Sequence, residues 1–121
     1  MKSYRDLDVW NLSMELVVEI YKLSGNFPGT EQYGLTSQMR RAAVSIPSNI
    51  AEGVGRKGPK EFIQFLYIAK GSLAELETQL ELSHRLNYIE TIDSYLDKSK
   101  RIRMTLIGLI NSLNSGYSKT R

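Results

Sequence analysis

A chain of 121 residues, 41% hydrophobic and 24% charged, has the size and balance of one soluble globular domain over 1–121 with a buried core. It contains no cysteine, which excludes disulfides, thiolate metal sites and thiol nucleophiles together. Sixteen basic residues against thirteen acidic ones give a net charge of +3, which permits an anionic partner without requiring one.

The N-terminal MKSYRDLDVW meets acidic residues at once and has no apolar run of signal-peptide type. No stretch approaches the roughly 20 apolar residues of a membrane span. The expectation is a cytoplasmic protein with no membrane partner. The first helical segment ends at Gly25, Pro28 and Gly29. At about 100° per residue it has two apolar faces. Leu7, Trp10, Met14, Val17, Val18 and Tyr21 form one, and Val9, Leu12, Leu16, Ile20 and Leu23 form the other. Asp8, Asn11, Glu15, Glu19 and Lys22 make a narrow polar strip between them. A peripheral bundle helix needs one buried face, so the second predicts a homo-oligomer with Val9, Leu12, Leu16, Ile20 and Leu23 as its interface. The competing reading covers that face with other segments of the same chain.

The second segment carries Leu35, Met39, Ala43, Ile46 and Ile50 on one face and Pro47 inside, where a missing N–H and a bulky ring predict a kink. Ser45, Ser48 and Asn49 flank the proline. The stripe Arg41, Ser45, Ser48 and Glu52 reads either as a recognition strip or, the favoured reading, as an interhelix network reaching Glu75 or Gln79. Gly53, Gly55, Gly58 and Pro59 close this segment, with Pro59 suited to the first position of the next helix. GVGRKG over 53–58 has the letters of a dinucleotide-binding loop, but a helix precedes it and no strand follows, so that chemistry lacks its βαβ context. Free N–H groups at the start of the third helix, beside Arg56, Lys57 and Lys60, are a candidate phosphate site, weighed against a solvated connection.

In the third segment Phe62, Leu66, Ala69, Leu73, Leu76 and Leu80 form a single seam. Gly71 within it predicts close approach of another helix. Glu81 and His84 have the spacing of a carboxylate-bridged metal motif, but one histidine cannot build the paired site. Glu75, Glu77 and Glu81 have no companion nucleophile or cluster, so no catalytic residue, metal site or cofactor is assigned. Asn87 suits the left-handed residue after a helix, behind His84 and Arg85 at the negative dipole end. Thr91 is the expected N-cap of the fourth helix, whose seam runs Ile92, Tyr95, Ser99, Ile102, Leu106, Leu109 and Leu113. Asp97 and Arg101 have the four-residue spacing of a helical ion pair. Four helices with short connections predict an all-α, up-down-up-down four-helix bundle with a Pro-kinked second helix.

The cations that cluster in mid-chain are Arg40, Arg41, Arg56, Lys57, Lys60 and Lys70. Repeated around an oligomer they make a candidate surface for RNA or DNA, acting by phosphate neutralisation. The other reading is a protein-interaction scaffold whose cations are solvated or paired. Neither is enzymatic.

Leu7, Val9 and Trp10, then Tyr33-Gly34-Leu35, Gln38-Met39-Arg40-Arg41-Ala42, Ser45-Ile46-Pro47 and Asn49-Ile50-Ala51-Glu52-Gly53 form a pattern that resembles a known family. It continues through Glu61-Phe62, Phe65-Leu66, Ala69, Gly71-Ser72 and Glu75-Leu76-Glu77 and is strongest over 33–89. The family is the bacterial four-helix bundles encoded in intervening sequences of 23S ribosomal RNA genes, which is similar to the accessory variability determinant of diversity-generating retroelements. The resemblance implies a ring-shaped homopentamer with a nucleic-acid role, and brings no catalytic residues. Gly58 departs from it, standing where the family more often has a Ser or Thr helix cap.

Overall fold

A computed structural model of the chain describes residues 3–119. Among the described residues there are four long helices and no strand: α1 (Asp8–Ser24), α2 (Leu35–Val54), α3 (Pro59–Arg85) and α4 (Asp93–Lys119). One-turn 3₁₀ helices at Tyr4–Asp6 and Gly29–Glu31 precede α1 and α2. The all-α four-helix bundle expected from the breakers is therefore the observed fold. Consecutive helices pack side by side and α4 returns against α1, with no close backbone approach across either diagonal among the described residues.

Local chemistry accounts for the helix ends. Pro59 occupies the first turn of α3, where its missing N–H would have had no partner. Asn87, at φ 63°, takes the left-handed conformation that turns the chain out of α3. Thr91 is not the cap of α4: that helix begins at Asp93, and the Ile92 carbonyl accepts from Leu96 N–H. At the start of α2, Glu31 substitutes for a capping residue. Its Oε1 accepts from Leu35 N–H at 3.2 Å and its Oε2 from Tyr88 Oη at 2.7 Å, tying the helix to the α3–α4 connection.

The core runs the length of the bundle through Val9, Leu16, Ile20, Met39, Ile46, Ile50, Leu66, Leu73, Leu76, Leu80, Ile102 and Leu106. Each large aliphatic side chain buried here contributes about 1.5–3 kcal/mol of transfer free energy. The predicted α3 seam is buried from Phe62 to Leu80. Of the predicted fourth seam, Ile92 just before α4 and Ser99, Ile102 and Leu106 within it are buried, with Tyr95, Leu109 and Leu113 packed at the edge.

The α2–α3 pairing is antiparallel. Gly53 meets Phe62 and Phe65, Ser45 Oγ lies 2.8 Å from Ser72 Oγ, and Ser83 Oγ donates to Met39 Sδ at 3.4 Å. Gly53 permits this approach, because a Cβ there would sit 2.8 Å from Phe62 Cδ1 and 2.9 Å from Phe65 Cβ. Pro47 is buried within α2. Asn49 Nδ2 donates to the Ser45 carbonyl at 2.7 Å and to Ser45 Oγ at 2.9 Å. Of the predicted stripe, Ser45 alone makes a bond to another helix among the described residues, and that bond ends on Ser72, not on Glu75 or Gln79; Glu52 pairs with Arg56 instead. Gly71 faces open space: among the described residues a Cβ there would have no neighbour within 4 Å, so the predicted close approach of another helix is not seen.

Candidate functional site

The face of α1 assigned to an oligomer interface is the one turned into the chain's own core. Val9, Leu16 and Ile20 are buried, and Leu12 and Leu23 pack against the core edge. Two serines complete that face, Ser13 and Ser24, whose hydroxyls donate at 2.7 Å to the Val9 and Ile20 carbonyls. Small polar groups satisfied by their own helix can be buried at little cost, so they interrupt the apolar pattern without breaking the core. The opposite face is the one left open: Met14 is 40% exposed, Val18 52% and Tyr21 43%. Trp10 and Val17 are half-buried beside it, in a shallow apolar groove shared with Val44 and Pro47 of α2.

The six candidate cations do not form one patch. Arg40 is a structural strut: its Nε donates to Ser24 Oγ at 2.9 Å, its Nη2 to the Tyr21 carbonyl at 3.2 Å, and its guanidinium lies 4.6 Å from the Tyr21 ring centroid. A cation at the Tyr21 carbonyl complements the C-terminal dipole of α1. Arg41 is exposed on the rim between α2 and α3. It lies about 20 Å along the helix from the C-terminal end of α2, at 1.5 Å per residue. Lys70 sits over the Tyr67 ring at 6.0 Å, about 15 Å along α3 from Lys60. Arg56, Lys57 and Lys60 are brought together at the α2–α3 turn, all exposed. Arg56 is partly compensated there, paired with Glu52 at 2.6 Å and stacked 4.8 Å from the Phe65 centroid.

Two cations of α4 are used between helices. Lys98 pairs with Glu19 of α1 at 2.5 Å, while Ser99 and Arg103 both bind Glu77 of α3. Glu77 is thus a packing residue, and no ion pair forms between Asp97 and Arg101 among the described residues.

A second open feature was not read from the sequence. Between α2 and α3 runs a groove of about 590 Å³ lined by Leu35, Gln38, Arg41, Glu75, Thr78, Gln79 and Leu82. Gln79 is 7% exposed and its Oε1 is buried without a hydrogen-bond partner. Its spacing from Leu76 and Leu80 could have flagged it as a polar group on the edge of the seam.

Among the described residues no group of His, Asp and Glu is arranged to hold a metal ion, and no helix is long and apolar enough to cross a membrane. His84 is exposed at the end of α3.

No curated protein matches this chain. A crystal structure of a protein of unknown function from the S23 ribosomal protein family, from Bacteroides thetaiotaomicron, is similar in fold and sequence. The two share 33% identity at a TM-score of 0.75, over 84% of this chain and 97% of that one. The family model for the 23S rRNA-intervening sequence protein matches residues 5–108. With the bundle architecture and the motif run from Tyr33 to Glu77 in place, the chain belongs to the 23S rRNA-intervening sequence protein family.

Proposed function

We propose that this protein is a non-enzymatic interaction module that self-associates through the outward face of α1 and, once assembled, presents its α2–α3 turns to the phosphates of RNA or DNA. The observation that carries the reading is the exposed strip of Met14, Val18 and Tyr21. Together with the apolar groove beside it, this strip has the character of an interaction surface. A homopentamer is the assembly implied by the family resemblance. Cytoplasmic residence fits a partner of this kind.

The nucleic-acid part rests on Arg56, Lys57 and Lys60, the three candidate cations that share one turn. A single copy presents a weak patch, and copies related by symmetry multiply it. Phosphate contacts release counterions, so affinity falls by about 0.9 log units per log unit of salt for each duplex-DNA phosphate neutralised, and about 0.7 for single strands. Replacing Arg56, Lys57 and Lys60 together by Ala is expected to weaken binding and flatten that slope without altering the assembly. Fluorescence anisotropy with labelled RNA and DNA across a salt series checks this. A wild-type protein with no salt-sensitive binding at low ionic strength leaves the protein-interaction scaffold as the function. The internal use of Arg40 and the Arg56–Glu52 pair favour that second reading.

A further inference from the structure

Among the surfaces that the described residues leave open, two are of different character. One is a ridge on α1, where Met14 and Val18 project with Glu15 and Lys22 beside them; both charged groups are exposed, and neither has an ion-pair partner among the described residues. The other is the α2–α3 groove, with Leu35 and Leu82 as apolar walls and Arg41 and Glu75 as exposed charges that are also unpaired among the described residues.

We infer that the α1 ridge of one copy seats in the α2–α3 groove of the next copy. The inference rests on the self-association reading and adds which surfaces meet. The charges are complementary. Glu15 is the anion for Arg41, and Lys22 brings its N–H donors to the exposed Glu75 carboxylate across the groove. Glu15 and Lys22 are two turns apart on α1, about 10 Å, so both can reach a groove whose two helix axes lie about 8–10 Å apart. Val18 supplies the apolar contact to Leu82 between them. Ridge against ridge, the alternative, leaves Arg41 and Glu75 without partners. Because ridge and groove are distinct surfaces, each copy uses both, and the contact is heterologous, passing from copy to copy until the assembly closes.

The absence of cysteine makes introduced thiols unambiguous reporters. Val18→Cys and Leu82→Cys, produced separately, are expected to give no disulfide-linked species on mild oxidation. Co-expressed, they are expected to give a covalent dimer, and a chain carrying both substitutions is expected to give a ladder of linked copies on a denaturing gel. As a second arm, Arg41→Glu alone is expected to lower the fraction of assembled protein at least tenfold, with Glu15→Arg in the same chain restoring it. Cross-linking of Val18→Cys to itself overturns the inference in favour of ridge-to-ridge packing. An assembled wild type with no cross-link in the co-expressed pair and no effect of the charge reversal overturns it as well, while leaving self-association standing. A monomeric wild type removes both.

Discussion

Ile20→Ala separates a core face from an interface face on α1. Ile20 is 0% exposed in the single chain, packed among the core side chains of the bundle. Removing three of its carbons forfeits their transfer free energy and leaves a cavity that close-packed neighbours fill only in part, a loss of about 2–5 kcal/mol. A domain of this length has a total stability of about 5–15 kcal/mol. The variant therefore still folds, but melts about 6–20 °C lower, taking 3–4 °C per kcal/mol between the values for smaller and larger domains. The assay is thermal melting followed by circular dichroism at 222 nm. It is run at one fixed protein concentration, because self-association makes the melting temperature depend on concentration. Leu16→Glu, which buries a carboxylate at a 1% exposed site, is expected to yield unfolded or aggregated protein, not a folded smaller species. An Ile20→Ala protein that melts within a few degrees of wild type, yet elutes as a smaller particle, would refute the assignment of this face to the core.

Two glycines in adjacent helices are expected to respond in opposite directions. Gly53→Ala places a methyl group 2.8–2.9 Å from Phe62 and Phe65 and 3.3 Å from the Phe62 carbonyl, so it should lower the melting temperature despite the better helix propensity of Ala. Gly71→Ala meets nothing within 4 Å and should stabilise the chain by about 1 kcal/mol, measurable by urea unfolding. The Glu31–Tyr88 bond predicts a pH dependence. Glu31 has its carboxyl pKa lowered by accepting first from Tyr88 and then from Leu35 N–H, and Tyr88 is raised chiefly by the same hydrogen bond. The contribution of Glu31 is fully present above its unfolded value of 4.5 and is lost as pH falls through the lower folded pKa; that of Tyr88 is present below 10.0 and lost as pH rises through the higher folded pKa. Glu31→Gln should flatten the acid limb of stability against pH, and an unchanged acid limb in chemical denaturation would count against the bond.

Much of the fold was legible because its signals are local. Pro59 can open a helix but not continue one, Asn87 tolerates the left-handed region, and the α3 seam from Phe62 to Leu80 has one apolar face to bury. α1 was harder, since both its faces are apolar. The face with the larger side chains, Trp10, Met14 and Tyr21, is the outer one, while Ser13 and Ser24 sit in the core with their hydroxyls bonded to their own helix. Position along a helix also defeated the reading of the cations. Arg40 and Arg41 are neighbours in sequence, but a 100° rotation sends one to α1 and the other to the α2–α3 rim. The open surroundings of Gly71 and the orphaned acceptor of Gln79 depend on the relative placement of whole helices, which no local pattern encodes.

Self-association through the α1 ridge is tested most directly by light scattering coupled to size exclusion, comparing wild type with Val18→Glu. Val18 is 52% exposed in the single chain, so a carboxylate there should leave the fold and its circular dichroism unchanged. The wild type is expected to have a mass several times the 13.8 kDa of one chain at micromolar concentration, and Val18→Glu to fall to the mass of one chain. A wild type already at 13.8 kDa contradicts self-association, and a Val18→Glu protein that keeps the full mass contradicts the ridge as its site.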